Sequence, residues 1–280
     1  MKARRSYFVP TMLAFGFAFL YVPILSMMVY SFNNSRLVTV WDSAHSPTLK
    51  WYGLLFENQQ IMGAAWLSMK VATLNAVFSV ILGTIAGLVL ARFGRFRGRT
   101  LLGAMTAAPL VMPEVITGLS MLMLFVAMEH LIGWPAGRGI TTITIAHVTF
   151  SMAYVTVIIQ SRLANFDDSL EEAALDLGAS PLTVFRRITL PLIMPAIISG
   201  GLLSFTLSWD DVVISQFVAG PSSTTLPMVI FSKVRLGVSP DVNALATLMV
   251  LTVAVGVVAS AIGMRRYEQK RAREMQLAVE

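Results

Sequence analysis

The chain lacks cysteine and has few charged residues and few histidines, and each shortage excludes a class of protein. Without cysteine there is no disulfide framework, thiolate nucleophile or Cys-ligated metal. The three histidines, His45, His130 and His147, are scattered and do not have the spacing of a metal site. Only 13% of the 280 residues are charged, whereas soluble domains carry about 25%. With 56% hydrophobic residues, the chain has more apolar surface than a soluble fold of this size can bury, which indicates an integral membrane protein.

The sequence also contains none of the motifs that mark common enzymes. A phosphate-binding loop, a dinucleotide fingerprint, an HExxH zinc motif and a nucleophile elbow are all missing. No catalytic residue, no metal site and no cofactor bound by this chain are therefore expected. The segments between the apolar stretches are too short for a soluble domain, so one transmembrane domain over 1–280 is predicted.

Six apolar stretches are long enough to cross a bilayer as helices, which takes about 20 residues each. They lie at 8–32, 66–93, 101–128, 140–159, 191–209 and 242–264. The sequence thus predicts an all-α integral membrane protein with six transmembrane helices. A further apolar stretch, 212–234, is interrupted by Gly220, Pro221 and Pro227, so a re-entrant or interfacial element is expected there.

The distribution of Lys and Arg predicts the orientation of these spans. Fifteen of the 21 basic residues fall on one side of the six spans, and that side includes both termini. Because positive charge is enriched on the cytoplasmic side, both termini are predicted to be cytoplasmic. Topology and anionic lipid headgroups account for the basic charge, so the lipid bilayer is the expected partner and nucleic acid is not.

The segment 162–190, called here the 162–190 loop, has the pattern of two short helices. Ser169 and Glu172 have the spacing of a capping box. Gly178 stands where a helix end needs a positive φ, and Ser180 can begin a second helix. Taken alone, this pattern is also compatible with a solvated loop in which Glu172 only caps a helix.

The spacing of small and apolar residues in the 162–190 loop resembles the EAA motif of permease subunits of bacterial ABC importers. The matching residues are Glu172, Ala173, Ala174, Gly178, Ile188, Leu190 and Pro191. The resemblance implies a type I ABC importer permease fold. It also implies that these residues couple the membrane helices to a separate ATPase subunit, with the two alanines allowing close approach and Gly178 setting the turn.

Other segments resemble the spermidine/putrescine branch of these permeases. Examples are SFNNSRLVTVW at 31–41, PLVMPEVITGLS at 109–120 and FTLSWDDVVISQFVAGPSSTTLP at 205–227, and the similarity extends from about 17 to 264. It implies polyamine import across the bacterial inner membrane. It further implies three kinds of partner: a second, different permease subunit, two ATPase subunits that bind ATP and Mg, and a periplasmic polyamine-binding protein. Putrescine and spermidine remain alternative cargoes. A permease for another small solute and, less readily, an ion-gradient transporter also remain open.

Glu114 is a charge inside the third predicted span, where a carboxylate costs roughly 2.5–3.5 kcal/mol on insertion scales. Pro109 and Pro113 are predicted to interrupt the helix and to place Glu114 at the start of a half-helix. The carboxylate could accept hydrogen bonds from free backbone N–H groups there. Alternatively, it lines the substrate pathway and replaces water around an ammonium group, which we favour because the implied cargo is cationic.

Trp209, Asp210 and Asp211 end the fifth predicted span and are the other candidates for the substrate pathway. They can form an acidic mouth for a dication with a cation–π face, or an ordinary wet helix end. Since neighbouring residues on a helix point about 100° apart, at most one of the two acids is expected to face a pathway directly.

Three further residues within spans suggest structural roles. Gly83 and Gly87 are one turn apart in the second span, which predicts close packing of another helix. His147 lies in the fourth span, and a packed imidazole that hydrogen-bonds across helices is expected there rather than a proton relay.

Overall fold

A computed structural model of the chain describes residues 7–35, 40–237 and 239–255 and the single positions 258 and 262. Regular structure in these residues is helical throughout, as predicted. The helices are α1 (Phe8–Tyr30), α2 (Lys50–Glu57), α3 (Gln59–Arg92), α4 (Arg99–Val111), α5 (Glu114–Ile132), α6 (Ile140–Ala164), α7 (Ser169–Asp176), α8 (Pro181–Val184), α9 (Leu190–Trp209), α10 (Val213–Val218), α11 (Leu226–Leu236) and α12 (Pro240–Val255). A π-helical turn, Phe185–Thr189, joins α8 to α9.

Five helical segments among the described residues are long and apolar enough to cross a membrane. They are α1, α3, α5, α6 and the continuous segment Pro181–Trp209 that contains α8 and α9. The last of these begins ten residues before the predicted 191, because α8 and the π-helical turn continue into α9 without a break. α12 is a shorter apolar helix, and the remainder of the predicted span 242–264 lies largely outside the described residues.

The predicted third span, 101–128, is two helices rather than one. α4 ends at Val111, Met112 is extended, and α5 begins at Glu114. The physical reason is Pro113, which disfavours helical geometry at the residue before it and has no N–H to continue the ladder. Glu114 therefore occupies the first turn of α5, as predicted, but Pro113 alone marks the break, because Pro109 lies inside α4.

The described residues form two compact units, one covering Gly63–Phe231 and the other the residues before and after it. In the Gly63–Phe231 unit, α6 is the helix with the most buried side chains. It contributes to one apolar cluster with Phe125 and Ile214, and to a second with Ile193 and Ala196. α6 is thus the central element of this unit, and its neighbours are positioned against it.

Glycines allow α3 and α9 to approach α6 closely. A Cβ atom at Gly83 would lie 2.6 Å from Val155 Cβ and 2.9 Å from the Met152 carbonyl oxygen, and one at Gly87 would lie 2.8 Å from Ile159 Cγ2. These distances are shorter than van der Waals contact, so the close packing predicted for both glycines is confirmed. On α9, a Cβ at Gly200 would lie 3.3 Å from Val155 Cγ1, so Val155 is packed between two glycine-bearing helices.

A buried asparagine hydrogen-bonds across the same three helices. Asn75 Nδ2 on α3 donates to the Ser204 carbonyl oxygen on α9 at 2.7 Å and to Ser151 Oγ on α6 at 3.1 Å. Its own Oδ1 accepts from Ser79 Oγ at 3.1 Å. Such interhelical bonds stabilise helix packing where water cannot compete for the polar groups.

The second unit contains α1, α2 and α12. The indole N–H of Trp51 donates to the Asn33 carbonyl oxygen at 2.7 Å, and the hydroxyls of Ser31 and Tyr52 are 2.6 Å apart. α1 buries none of its residues, although nearly all of them are apolar. An apolar helix of this length that is exposed on every side requires lipid or another chain around it.

The close approach of α3 to α6 predicts that Gly83→Ala is destabilising. The added methyl group must push Val155 and the Met152 backbone away, at a cost of about 1–3 kcal/mol. The thermal-denaturation midpoint of the protein in detergent should therefore fall. Gly63→Ala is the matched control on the same helix, since a Cβ there meets nothing within 4 Å. Equal midpoints for the two variants would contradict the packing described here.

Candidate functional site

The first helix of the 162–190 loop begins one residue earlier than the sequence predicted. The N-cap of α7 is Asp168, and no side chain caps the helix there, so the capping box predicted for Ser169 and Glu172 is wrong. Instead, Asp167 Oδ1 accepts a hydrogen bond from the Ser169 N–H at 3.1 Å. Bonds from the Ser169 hydroxyl and backbone keep the pKa of Asp167 below its ordinary value.

The end of α7 is a Schellman turn with Gly178 at its positive-φ position. Gly178 has φ +83°, its N–H donates to the Leu175 carbonyl oxygen, and the Ala179 N–H donates to that of Ala174. The next helix, α8, starts with Ser180, whose hydroxyl accepts from the Thr183 N–H at 3.4 Å, and Pro181 follows at its first position. The turn and the second cap are as predicted.

The inner side of α7 is held to α3 and to the π-helical turn by Glu171. Its Oε1 accepts a hydrogen bond from Thr189 Oγ1 at 2.5 Å and lies 3.5 Å from Arg92 Nη2. Arg92, the last residue of α3, also forms an ion pair with Asp168 and lies over the ring of Phe166. These contacts connect the 162–190 loop to a membrane helix.

The opposite side of α7, the turn after it and the first turn of α8 are exposed. Glu172 and Ala173 are exposed, and so are two leucines, Leu177 at 89% and Leu182 at 66%. We call these four residues the exposed loop surface. Leucines so exposed, beside a carboxylate and a small residue, are typical of a surface that another protein covers.

The remaining motif residues lie nearer to the membrane helices. Ala174 is half-buried and contributes its carbonyl oxygen to the Schellman turn. Ile188 and Leu190 are half-buried around the junction of the π-helical turn with α9, and Pro191 is exposed in the first turn of α9. They thus lie where the 162–190 loop passes into the membrane helix.

Glu114 stands at the break between α4 and α5, well inside the apolar part of the chain. α4 has 13 residues and extends about 20 Å on one side of it, and α5 has 19 residues and extends about 28 Å on the other. Its side chain is exposed, and the described residues offer its carboxylate no hydrogen-bond partner. The alternative role, in which the carboxylate accepts hydrogen bonds from backbone N–H groups, is therefore not seen among the described residues.

The structure places the two neighbouring acids after α9 in different surroundings. Asp211 is 8% exposed in its side chain and accepts hydrogen bonds from Ser215 N–H at 2.7 Å and Ile214 N–H at 3.2 Å, so it caps α10. Its Oδ2 also lies 3.1 Å from His147 Nε2. Asp210 is exposed. Of the two acids, Asp210 is thus the one whose side chain is exposed.

His147 hydrogen-bonds between α6 and α9, as expected. Its Nδ1 lies 2.7 Å from Ser208 Oγ, and its Nε2 also lies 3.2 Å from Ser215 Oγ. An imidazole protonated on Nε2 donates to Asp211 and accepts from Ser208 at Nδ1. The ring therefore holds the end of α9 and the start of α10 against α6.

α10 returns along α6 rather than crossing the membrane. His147 is seven residues, about 10 Å, from the first residue of α6. The chain then follows α6 back to its start, where the Val218 carbonyl oxygen accepts a hydrogen bond from Thr142 Oγ1 at 2.7 Å. α10 and α11 have 6 and 11 residues, too few to span, in agreement with the prediction for 212–234.

Two features of the site were not predicted from the sequence. The ring of Phe205 is stacked on that of Trp209, with centroids 5.9 Å apart and planes at 12°, directly before Asp210. Arg92 and Glu171 connect the 162–190 loop to α3. The first could have been found from the spacing of two aromatic residues one turn apart, but the second joins residues 79 positions apart and has no local signal.

The features above, several apolar membrane-length helices and a short helix pair with an exposed apolar surface, are those of an integral membrane protein with a surface that another chain can cover. Residues 79–273 match the family described as "Binding-protein-dependent transport system inner membrane component". The chain belongs to this family, which confirms the family inferred from the 162–190 loop. It is accordingly an inner membrane permease component of a transport system and not an enzyme.

Two curated relatives and one solved structure show how far the likeness extends. The chain is 57% identical over 267 residues to "Putrescine transport system permease protein PotI" of Escherichia coli (strain K12), covering 95% of this chain and 94% of that protein. It is 42% identical over 244 residues to "Spermidine/putrescine transport system permease protein PotC" of the same strain, covering 87% and 89%. A bacterial ABC transporter involved in the import of the acidic polysaccharide alginate contains a chain with the same fold. Its TM-score is 0.70 at 18% identity, and the match covers 94% of this chain and 98% of that one.

Because one side of α7 is held to its neighbours and the other is exposed, substitutions of its two neighbouring glutamates should affect hydrogen exchange differently. Glu171→Gln should weaken the contacts to Thr189 and Arg92 by about 1–2 kcal/mol. Amide hydrogens of α7 should then exchange with deuterium several-fold faster. Glu172→Gln is the matched control, and it should leave exchange unchanged because this side chain is exposed. Unchanged exchange in Glu171→Gln would show that these contacts do not hold the loop.

Proposed function

We propose that this chain is one of the two different permease subunits of an ABC importer for polyamines in the bacterial inner membrane. A periplasmic binding protein delivers the cargo, and two ATPase subunits that bind ATP and Mg drive the transport. The 57% identity to a putrescine permease over nearly its whole length supports the cargo. The observation that best supports a role in coupling is that one side of α7 is held to the membrane helices while its other side is exposed.

The 162–190 loop is suited to transmit movement between a soluble subunit and the membrane helices. Its exposed loop surface is free to dock, while Glu171 and Arg92 fasten the inner side to α3. The loop also continues through the π-helical turn directly into α9. A displacement of α7 by an ATPase subunit is therefore passed to two membrane helices at once, and movement of membrane helices is what alternating access consists of.

The orientation follows from the same proposal. A loop that docks on an ATPase subunit lies in the cytoplasm, and the excess of Lys and Arg on the same side of the spans supports this placement. Both termini are then cytoplasmic. The end of α9, which lies far along α6 from the loop, is then nearer to the periplasm.

The substrate pathway is proposed to run past Glu114 and past Trp209 and Asp210. A carboxylate at mid-membrane depth is too costly to face lipid, so the exposed Glu114 faces a hydrated pathway or the partner permease. α5 and α10 pack together one turn beyond Glu114, where a Cβ at Gly118 would meet Phe217 at 2.7 Å. α10, which starts three residues after Asp210, is thus a neighbour of the helix that begins with Glu114. Asp211 contributes by holding α10, and through it Asp210, in place.

Substitutions in the 162–190 loop should separate transport from insertion. Glu172→Lys reverses the charge at the exposed loop surface and should abolish uptake of radiolabelled putrescine, whereas Glu172→Gln should retain part of it. The amount of protein in the membrane should be unchanged in both, because this side chain is exposed and the described residues give it no partner. Wild-type uptake in Glu172→Lys would exclude this residue from ATPase coupling.

Gly178 allows a second test of coupling that changes conformation alone. A Cβ there meets nothing within 4 Å, but φ is +83°. Valine is strained at this angle, whereas asparagine tolerates it. Gly178→Val should therefore lower uptake severely and Gly178→Asn only slightly. Uptake that is independent of the ATPase subunits would instead favour an ion-gradient transporter.

The cargo assignment predicts a transport defect for Glu114→Gln. The amide nearly keeps the size but loses the charge that offsets dehydration of an ammonium group. Maximal uptake velocity should fall about two- to fivefold, and Glu114→Lys should be worse. Velocity is measured against putrescine and spermidine concentration and normalised to permease in the membrane.

Glu129→Gln is the control for the same helix, because Glu129 lies near the far end of α5, where its carboxylate accepts a hydrogen bond from the Gly137 N–H that an amide oxygen can also accept. This variant should transport at the wild-type velocity. Wild-type velocities for Glu114→Gln as well would remove Glu114 from the pathway.

A further inference from the structure

The Gly63–Phe231 unit contains a cavity of about 990 Å³ that the transport scheme does not use. It lies where α3 ends, α4 begins and α6 ends, so it is at the level of the membrane helix ends beside the 162–190 loop. Three arginines, Arg92, Arg95 and Arg99, line it together with one acid, Asp168. Apolar side chains such as Leu90, Ala107 and Val157 form another part of the lining.

The arginines of this cavity retain unused hydrogen-bonding capacity. Arg92 forms its ion pair with Asp168 through Nη1, but its Nε is buried without a hydrogen-bond partner in the described part of the chain. Arg99 donates through Nη2 to the Leu90 carbonyl oxygen at 3.0 Å, which holds it at the cavity. The described residues give the Arg95 side chain no partner. A buried unpaired donor is costly, so an acceptor that reaches this cavity is favoured.

The charge of the cavity selects the kind of ligand. Three guanidinium groups against one carboxylate repel a polyamine, so the cavity is not part of a pathway for cationic cargo. Guanidinium groups instead match the geometry of phosphate oxygens. The apolar lining between the helices is suited to hydrocarbon, and Ala107 and Val157 are exposed on their helices. A ligand that combines a phosphate group with hydrocarbon chains is a phospholipid.

We propose that this cavity binds an anionic phospholipid of the adjacent leaflet, with its phosphate at Arg95 and Arg99 and an acyl chain along Ala107 and Val157. The inference rests on the proposed function in that it requires these helices to cross the membrane. The bound phosphate lies next to Arg92, which holds the 162–190 loop through Asp168 and Glu171. The lipid therefore supports the end of α3 from which this loop is anchored.

The test is native mass spectrometry of the complete transporter complex, purified in detergent and supplied with phosphatidylglycerol or phosphatidylcholine. The wild type should retain phosphatidylglycerol in preference to phosphatidylcholine. Arg95→Gln should lower this preference about fivefold, the factor expected for one basic residue at a lipid headgroup. Arg97→Gln is the matched control, since Arg97 lies in the same connection between α3 and α4 but does not line the cavity; it should retain the lipid as the wild type does.

A second variant, Thr100→Glu, adds a carboxylate to the cavity at an exposed position in the first turn of α4, where an acid is compatible with the helix. It should also lower the retention of phosphatidylglycerol. Equal retention of the two lipids, or unchanged preference in both Arg95→Gln and Thr100→Glu, would overturn the proposal. Displacement of the lipid by an equal concentration of inorganic phosphate would overturn it too, because the site would then recognise free phosphate. Putrescine uptake is measured separately and tests the proposed function. If putrescine is not transported but phosphatidylglycerol is retained as described, the cargo assignment is wrong and the lipid site remains supported.

Discussion

The close packing of α6 against α3 and α9 is the constraint on which the rest of the Gly63–Phe231 unit depends. Gly83, Gly87 and Gly200 remove the side chains that would hold the helices apart, and Val155 fills the space between them. In a membrane, lipid competes equally well for apolar side chains, so close backbone approach and interhelical hydrogen bonds decide which helices associate. Asn75 supplies such bonds to both α6 and α9.

Both candidate sites are consequences of this packing, one at each end of the α6–α9 pair. At one end, the chain leaves α6 and re-enters α9 through the 162–190 loop, and the ion pairs of Arg92 tie that loop to α3. Toward the other end, His147 holds the end of α9 and Asp211 caps α10. The continuous helix α9 thus connects the loop to Trp209 and Asp210, and it can transmit a movement from one to the other.

Neighbouring acidic residues have different roles at both ends. In α7 the helix turns each residue by about 100°, whereas Asp210 and Asp211 lie in the connection between α9 and α10. Glu171 faces inward to Thr189, while Glu172 is exposed. Asp211 is buried against His147, while Asp210 is exposed. In each pair one carboxylate stabilises the local structure and its neighbour remains available to another molecule, so a short sequence provides both an anchor and a contact.

The sequence by itself determined the all-helical membrane architecture, the break before Glu114, the turn at Gly178 and the glycine packing at Gly83 and Gly87. Each depends on local physics: hydrophobic length, the missing N–H of proline, or the freedom and small size of glycine. The capping box at Ser169 was wrong because Asp168, one residue earlier, takes the cap position. Only the tertiary structure decided which of two adjacent acids is exposed, that Arg92 anchors the loop, and that arginines gather around a cavity. These depend on side chains from helices far apart in the chain, and no local pattern encodes their meeting.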